Sequence, residues 1–382
     1  MKYLISLLFS FILLSLFPSP LQHVEITLKP QPTIVEPPPP TPEELILQDM
    51  TNEEKVGQLF IFGFDGTTLT KENREFLQNH HIGGVLLLKK NITSEKQIQN
   101  LIQDIQTTND IPLFISIDQE GGSVARIRWN DKLTVAQKDI DTPRQAYEDA
   151  KYKGEYLKSL GININFAPVV EYITDKNSFI YDRTYRGSQE EVHLKSISAI
   201  SGYKETGIIA VPKHYPGHSN TSTDSHFNLP TVDIQENQWN EYILPFTNIL
   251  DPKLNQVVVD AIMVGHVYFP NIDTYPATLS KEIIDKRLIQ NLEYDGLVIS
   301  DDMEMGALDN IDTDINIARR ALEAGNDILI YSKYTQKHPN LQQDVYEYIL
   351  SEVEKGNLDI DKKVLKILEI KTKYNILNIE EN

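Results

Sequence analysis

The chain has 382 residues, 40% apolar and 24% charged, which is enough for a sizeable core and excludes global disorder. Its formal net charge of −19 argues against a nucleic-acid or anionic-membrane partner, because such a surface would repel both. There is no cysteine, so disulfides, thiolate metal sites, iron–sulfur clusters, cysteine nucleophiles and a lipidated N-terminal cysteine are all excluded.

In chain order, Met1-Lys2 is a positive start to an apolar run from Tyr3 to Phe17 that only serines interrupt. This pattern predicts a secretory signal or an uncleaved membrane anchor over residues 1–20. The run is short for a full span, and no alanine precedes Ala125 to form a small-residue cleavage pattern. Residues 21–41 include KPQPTIVEPPPPT, a proline-rich linker expected to be extended and unpacked. The expectation is therefore an exported protein, attached through residues 1–17 or released, with its folded domain at 42–382. The oligomeric state is not legible.

Residues 41–60 read as a leading helix running into a strand. Apolar runs then follow at Gln58–Gly63, Gly84–Leu88, Pro112–Asp118, Ile162–Val169, Ile208–Pro212, Ala261–Val267, Gly296–Ser300 and Asp327–Tyr331. Most lack alternation, as parallel strands buried on both faces do. Helical patterns lie between them, at Ser94–Thr107, Arg144–Leu160, Glu190–Glu205, Lys281–Leu292 and Thr313–Ala324. Eight strand–helix units predict an α/β fold, a (β/α)₈ TIM barrel forming a single catalytic domain. An open doubly wound sheet is the rival, but no Gly-x-Gly-x-x-Gly turn follows any strand.

A barrel places its chemistry at the C-terminal ends of its strands. The third run ends in Asp118 and Glu120, the fifth in Lys213-His214, the sixth near His266 and the seventh in Asp301-Asp302. One polar ending means little, since loops are solvated everywhere; four on one rim favour catalysis. The densest segment is KHYPGHSNTSTDSH, Lys213–His226, which holds three of the nine histidines. In its Asp224-Ser225-His226 ending, an aspartate can orient a histidine ring and raise its basicity. A metal reading of His214, His218, Asp224 and His226 is weaker, because Pro216-Gly217 breaks the helix that would align an i,i+4 pair.

With these pieces in view, the chain resembles glycoside hydrolase family 3, in its bacterial β-N-acetylglucosaminidase branch (NagZ type). The resemblance rests on MTNEEKVGQLF, GGVLLL, IDQEGGSVARIR, NFAPVVE, KHYPGHSNTSTDSH, PATLS, GLVISDDMEMGAL and ALEAGNDILI, in that order. It implies a (β/α)₈ barrel and retaining release of terminal β-linked N-acetylglucosamine, with peptidoglycan fragments as the expected saccharides. It also implies that Asp301, not Asp302, is the nucleophile, with His226 as acid/base and Asp224 as its partner. Asp118, Arg126, Arg183, Lys213 and His214 match residues that hold the sugar hydroxyls and N-acetyl group. Departures are Thr184-Tyr185 for Ser-Phe, Ser219-Asn220 for Gly-Asp and Glu171 for Asp. No metal or organic cofactor is expected. Two alternatives stand: a phosphorylase using the same site, and a membrane-tethered, catalytically inactive sugar-binding protein.

Overall fold

In the computed structural model, which describes residues 39–332 and 338–379, every one of the eight apolar runs contributes a strand. These are β1 (Phe60–Phe62), β2 (Gly84–Leu87), β3 (Phe114–Ile117), β4 (Ile164–Asn165), β5 (Ile209–Ala210), β6 (Ala261–Val264), β7 (Leu297–Asp302) and β8 (Ile328–Tyr331). All pair in parallel, in the order β5-β4-β3-β2-β1-β8-β7-β6. The remaining seam closes just beyond β5: Met263 N–H donates to Pro212 O (3.0 Å) and Tyr215 N–H to Met263 O (2.8 Å). The fold is a (β/α)₈ barrel. Residues 1–20, expected to be a signal or membrane anchor, and most of the expected proline-rich linker lie outside the described residues.

Helices cover the outside because their sequences cap and stripe correctly. Thr70, Ser94, Thr142, Ser188 and Thr313 each accept a backbone N–H of the first turn that follows. Helix Glu95–Gln106 buries Ile98, Leu101, Ile102 and Ile105, one face at helical spacing. Among the described residues no helix is long and apolar enough to cross a membrane.

Three expectations need correcting. The leading segment is two helices, Pro42–Asp49 and Asn52–Gln58, because Thr41 and Thr51 each open a capping box with a glutamate three residues on. The runs at 162–169 and 208–212 shrink to two-residue ladders, because the pairing register slips by one residue between Asn165–Ala210 and Val169–Lys213. Pairing resumes past both prolines, where Val169 bridges Lys213. Helix Glu282–Gln290 is wound wide, with Lys286 N–H bonded to Lys281 O (3.1 Å) and Asn291 N–H to Lys286 O (2.9 Å).

The N-terminal end of the barrel is plugged by Lys371, from helix Asp361–Lys373. Its buried ammonium donates to Gln58 Oε1 (2.7 Å) and Gly83 O (3.1 Å), and burial pulls its pKa down to about 7. The other end carries the candidate site.

Candidate active site

At the C-terminal ends of the strands lies a cavity of about 300 Å³. Of the predicted residues, Asp118, Arg126, Arg183, Lys213, His214, His226 and Asp301 line it, and Asp224 stands behind His226.

One wall is an ion network. Lys213 Nζ reaches Asp118 Oδ1 (2.8 Å) and Glu120 Oε1 (2.7 Å). Arg126 Nη2 meets Asp118 Oδ2 at 3.0 Å, and Arg183 grips both oxygens of Glu120, at 3.0 and 2.8 Å. Arg126 reaches an aspartate eight positions back because a hairpin, Gln119–Gly121 against Val124–Ala125, reverses the chain. Gly121 sits at φ 105° there, and a Cβ on it would lie 1.9 Å from Val135 O. Burial works to raise Asp118 and Glu120, but their cationic partners outweigh it and hold both carboxyls below the usual range. The bidentate clasp secures Arg183 in the site despite the Thr184-Tyr185 departure.

The segment after β5 folds over a second carboxylate. Glu171, buried, accepts N–H groups from the His214 backbone (3.3 Å), the His218 backbone (2.5 Å) and both Nδ1 atoms (3.0 Å each). Burial works to raise it, and the His218 and His214 donors more than offset that, so it stays ionised. The bonding also fixes a tautomer. Arg183 Nη2, 3.3 Å from His214 Nε2, can only donate, so His214 carries its proton on Nδ1 and is neutral. Burial, the largest cause, holds its pKa near 4. Glu171, His214 and His218 place potential ligand atoms within 4.8 Å of one another, so the proline–glycine break does not separate the two histidines. Their Nδ1 atoms and the carboxylate are nevertheless committed to each other, and Asp224 with His226 forms a separate pair.

That pair sits at the mouth. His226 Nδ1 lies 2.8 Å from Asp224 Oδ1, and the His226 backbone N–H reaches the same oxygen at 2.9 Å. Both side chains are partly exposed, 49% for the histidine and 40% for the aspartate, so a substrate can reach the free Nε2. Burial works to raise Asp224, but the His226 N–H and ring prevail and lower it.

The seventh strand delivers two adjacent carboxyls in different states. Burial works to raise Asp301, yet His214, His266, Lys213 and the Asp302 N–H prevail and lower it. With His214 neutral at pH 7, that stabilisation falls mainly to Lys213 and the N–H. Asp302 is pushed up to about 6, by burial first and by the Asp301 charge, although Ser332 Oγ and the N–H groups of Glu304 and Ser332 (3.2 Å each) all bond to it. Asp301 is therefore the ionised acid facing the cavity, and Asp302 is occupied in tying β7 to β8. Behind them His266 donates from Nε2 to Asp302 O (2.9 Å) and meets Thr278 Oγ1 at 2.7 Å.

Residue-by-residue reading assigned no role to Glu120, Glu171, His218, His266 or Asp302 as supports. Glu120, His266 and Asp302 stand at predicted strand ends and His218 in the dense Lys213–His226 segment, and that is the available signal.

Residues 51–370 match the glycosyl hydrolase family 3 N terminal domain. The chain belongs to glycosyl hydrolase family 3. It is thus a glycoside hydrolase, and its curated relatives are named β-hexosaminidases. The protein of Alkalilimnicola ehrlichii is 31% identical over 290 residues, covering 73% of this chain and 82% of its own. β-Hexosaminidase A of Pseudoalteromonas piscicida is 30% identical over 290 residues, 69% of this chain. The chain spans about half (48%) of that longer relative. Among solved structures, a family 3 β-N-acetylglucosaminidase from Paenibacillus sp. FPU-7 superposes with a TM-score of 0.78 at 32% identity, over 87% of this chain and 64% of that one. The β-N-acetylglucosaminidase of Thermotoga maritima gives 0.71 at 28% identity, over 85% and 68%.

Proposed function

We propose that this family 3 enzyme is a retaining β-N-acetylglucosaminidase that removes one terminal sugar at a time. The observation that carries the reading is the coexistence, at one cavity, of a half-buried ionised carboxylate, Asp301, and an aspartate-held imidazole, His226. Retaining hydrolysis needs a nucleophile for the anomeric carbon and a proton donor for the departing oxygen. Asp301 takes the first role, forming a glycosyl ester as the C–O bond breaks. His226 gives its Nε2 proton to the leaving oxygen, then recovers one from the water that hydrolyses the ester. An imidazole is not anionic in either its proton-donating or its proton-accepting form, so it does not repel the anionic nucleophile as a second carboxylate would. Asp118, Arg126, Arg183, Lys213 and His214 hold the ring hydroxyls and the N-acetyl group, the charged ones through charge-assisted hydrogen bonds. The cavity of about 300 Å³ suits one sugar better than a chain.

The experiment is a leaving-group comparison. His226→Ala should depress hydrolysis of a natural disaccharide by ~10²–10⁴-fold and that of a nitrophenyl glycoside far less, because nitrophenolate departs without a proton. Azide, which needs no base, should partly restore the second step. Equal losses on both substrates, with no azide effect, would remove His226 from the chemistry. Product analysis with and without phosphate separates hydrolysis from phosphorolysis.

Peptidoglycan fragments outside the cytoplasm are the proposed setting, supported by the export-like segment at residues 1–20 and the linker to residue 41. Fractionation that recovers full-length protein in the cytoplasm would refute that placement. Removing residues 1–40 should leave activity intact, since the strands and site residues all lie beyond them.

A further inference from the structure

Phe227 is 73% exposed, the most open of the large apolar side chains among the described residues. A lone exposed phenylalanine is ordinary. This one directly follows His226, and its backbone is held. The N–H groups of Phe227 and Asn228 both donate to Asp224 O at 3.1 Å. From the other side Gly306 N–H donates to His226 O (3.0 Å) and Ala307 N–H to Ser225 O (3.1 Å). Gly306 lies so close beneath the turn that a Cβ on it would be 2.8 Å from Phe227 O. The ring is thus presented from a fixed backbone, its centroid 6.5 Å from the His226 ring.

The acid/base reading fixes what comes near it. Nδ1 of His226 is engaged by Asp224, so a glycosidic oxygen can receive a proton only at Nε2. The group bonded to that oxygen begins beside His226 and extends outward over its neighbours. Trp129, another exposed aromatic, is committed elsewhere through a 2.7 Å bond to Tyr156 Oη.

We propose that Phe227 is the platform of the leaving-group subsite, stacking on the C–H face of a pyranose ring joined to the sugar that is cleaved off. The phenyl ring offers no donor or acceptor, so it selects for an aglycone with a flat apolar face and is indifferent to the hydroxyl pattern. A second sugar is favoured there over an alkyl group. The inference rests on the hexosaminidase reading above.

The test measures kcat/KM for N,N′-diacetylchitobiose and for methyl β-N-acetylglucosaminide, which has no aglycone ring. Phe227→Ala should lower the disaccharide-to-methyl ratio roughly three- to tenfold, as loss of one ring-on-ring contact does. Phe227→Tyr, which keeps the face, should leave that ratio near the parental value. An unchanged ratio in Phe227→Ala overturns the subsite, whether both substrates slow together or neither does. A parent enzyme that turns over neither substrate defeats the hexosaminidase reading itself, and the subsite with it.

Discussion

Replacing Asp302 with asparagine separates the two neighbouring carboxyls by their energetics. Asp302 is half-buried and its carboxyl is raised from 3.8 to about 6, because desolvation and the Asp301 charge outweigh its hydrogen bonds. The folded-state value therefore lies above the unfolded one. Between about pH 4 and pH 6 the folded protein keeps a proton that the unfolded chain has released, so this group makes stability fall as pH rises, and its full cost is present above pH 6. About two pKa units at ~1.4 kcal/mol each set a ceiling of ~3 kcal/mol. Asparagine can keep the contacts: its oxygen accepts the Ser332 and Glu304 N–H groups, and its amide donates to Ser332 Oγ. We expect Asp302→Asn to be more stable than the parent by ~1–3 kcal/mol at pH 7.5, with the gain gone by pH 4. Urea midpoints of both proteins across that range measure it. A gain that does not vary with pH, or a loss at pH 7.5, would show that the carboxylate carries no uncompensated charge.

Asp301→Ala should abolish turnover even of nitrophenyl glycosides, because no glycosyl ester forms, and a slowed fluorinated substrate should label Asp301 in the parent. Label on Asp302 or Glu304 would refute the assignment. Lys371→Met removes a buried cation whose folded pKa, about 7, lies below its unfolded value. Its penalty is largest below pH 7 and fades toward pH 10, so thermal melts should show the variant's advantage at pH 7 shrinking as pH rises. That advantage should stay under the ~5 kcal/mol ceiling, because Gln58 and Gly83 O lose their donor.

The barrel was legible because parallel strands buried on both faces print as unbroken apolar runs, and eight such runs leave few architectures. Strand ends were less legible: hydropathy says nothing about the one-residue slip in pairing between Asn165–Ala210 and Val169–Lys213. The threonine caps at Thr41 and Thr51 were visible as S/T-x-x-E patterns, yet the apolar periodicity across residues 41–60 masked the break between them. In the site, residues at strand ends could be named, since the barrel rule says where they point. Long-range partnerships could not. Glu171 precedes His214 by 43 positions and Glu120 precedes Arg183 by 63, and nothing local in either segment announces the other. The contrast between Asp301 and Asp302 was equally hidden, because it arises from the desolvation of Asp302 beside the Asp301 charge and from groups brought to Asp301 by other strands, Lys213 across the barrel among them.

The Ser219-Asn220 departure now has a physical form. Ser219 stands at φ 57°, where a glycine would be unstrained, and Asn220 Oδ1 accepts the Thr174 and Asp175 N–H groups at 3.1 and 3.0 Å. An aspartate would accept the same pair, so the anchor survives the change without its charge. The serine is the larger difference. A left-handed conformation costs a non-glycine residue ~1–2 kcal/mol, while glycine at the same place loses ~0.5–1 kcal/mol more backbone entropy on folding. The two nearly cancel, so Ser219→Gly should change global stability by less than ~1 kcal/mol. What it should change is the ease with which residues 219–224 open locally, ahead of Ser225 and His226, whose carbonyls the Ala307 and Gly306 N–H groups hold. Hydrogen exchange over that segment should accelerate in the variant while the barrel strands keep their protection. A variant that gains well over 1 kcal/mol with unchanged exchange in the loop would mean that Ser219 stores strain without restraining local opening.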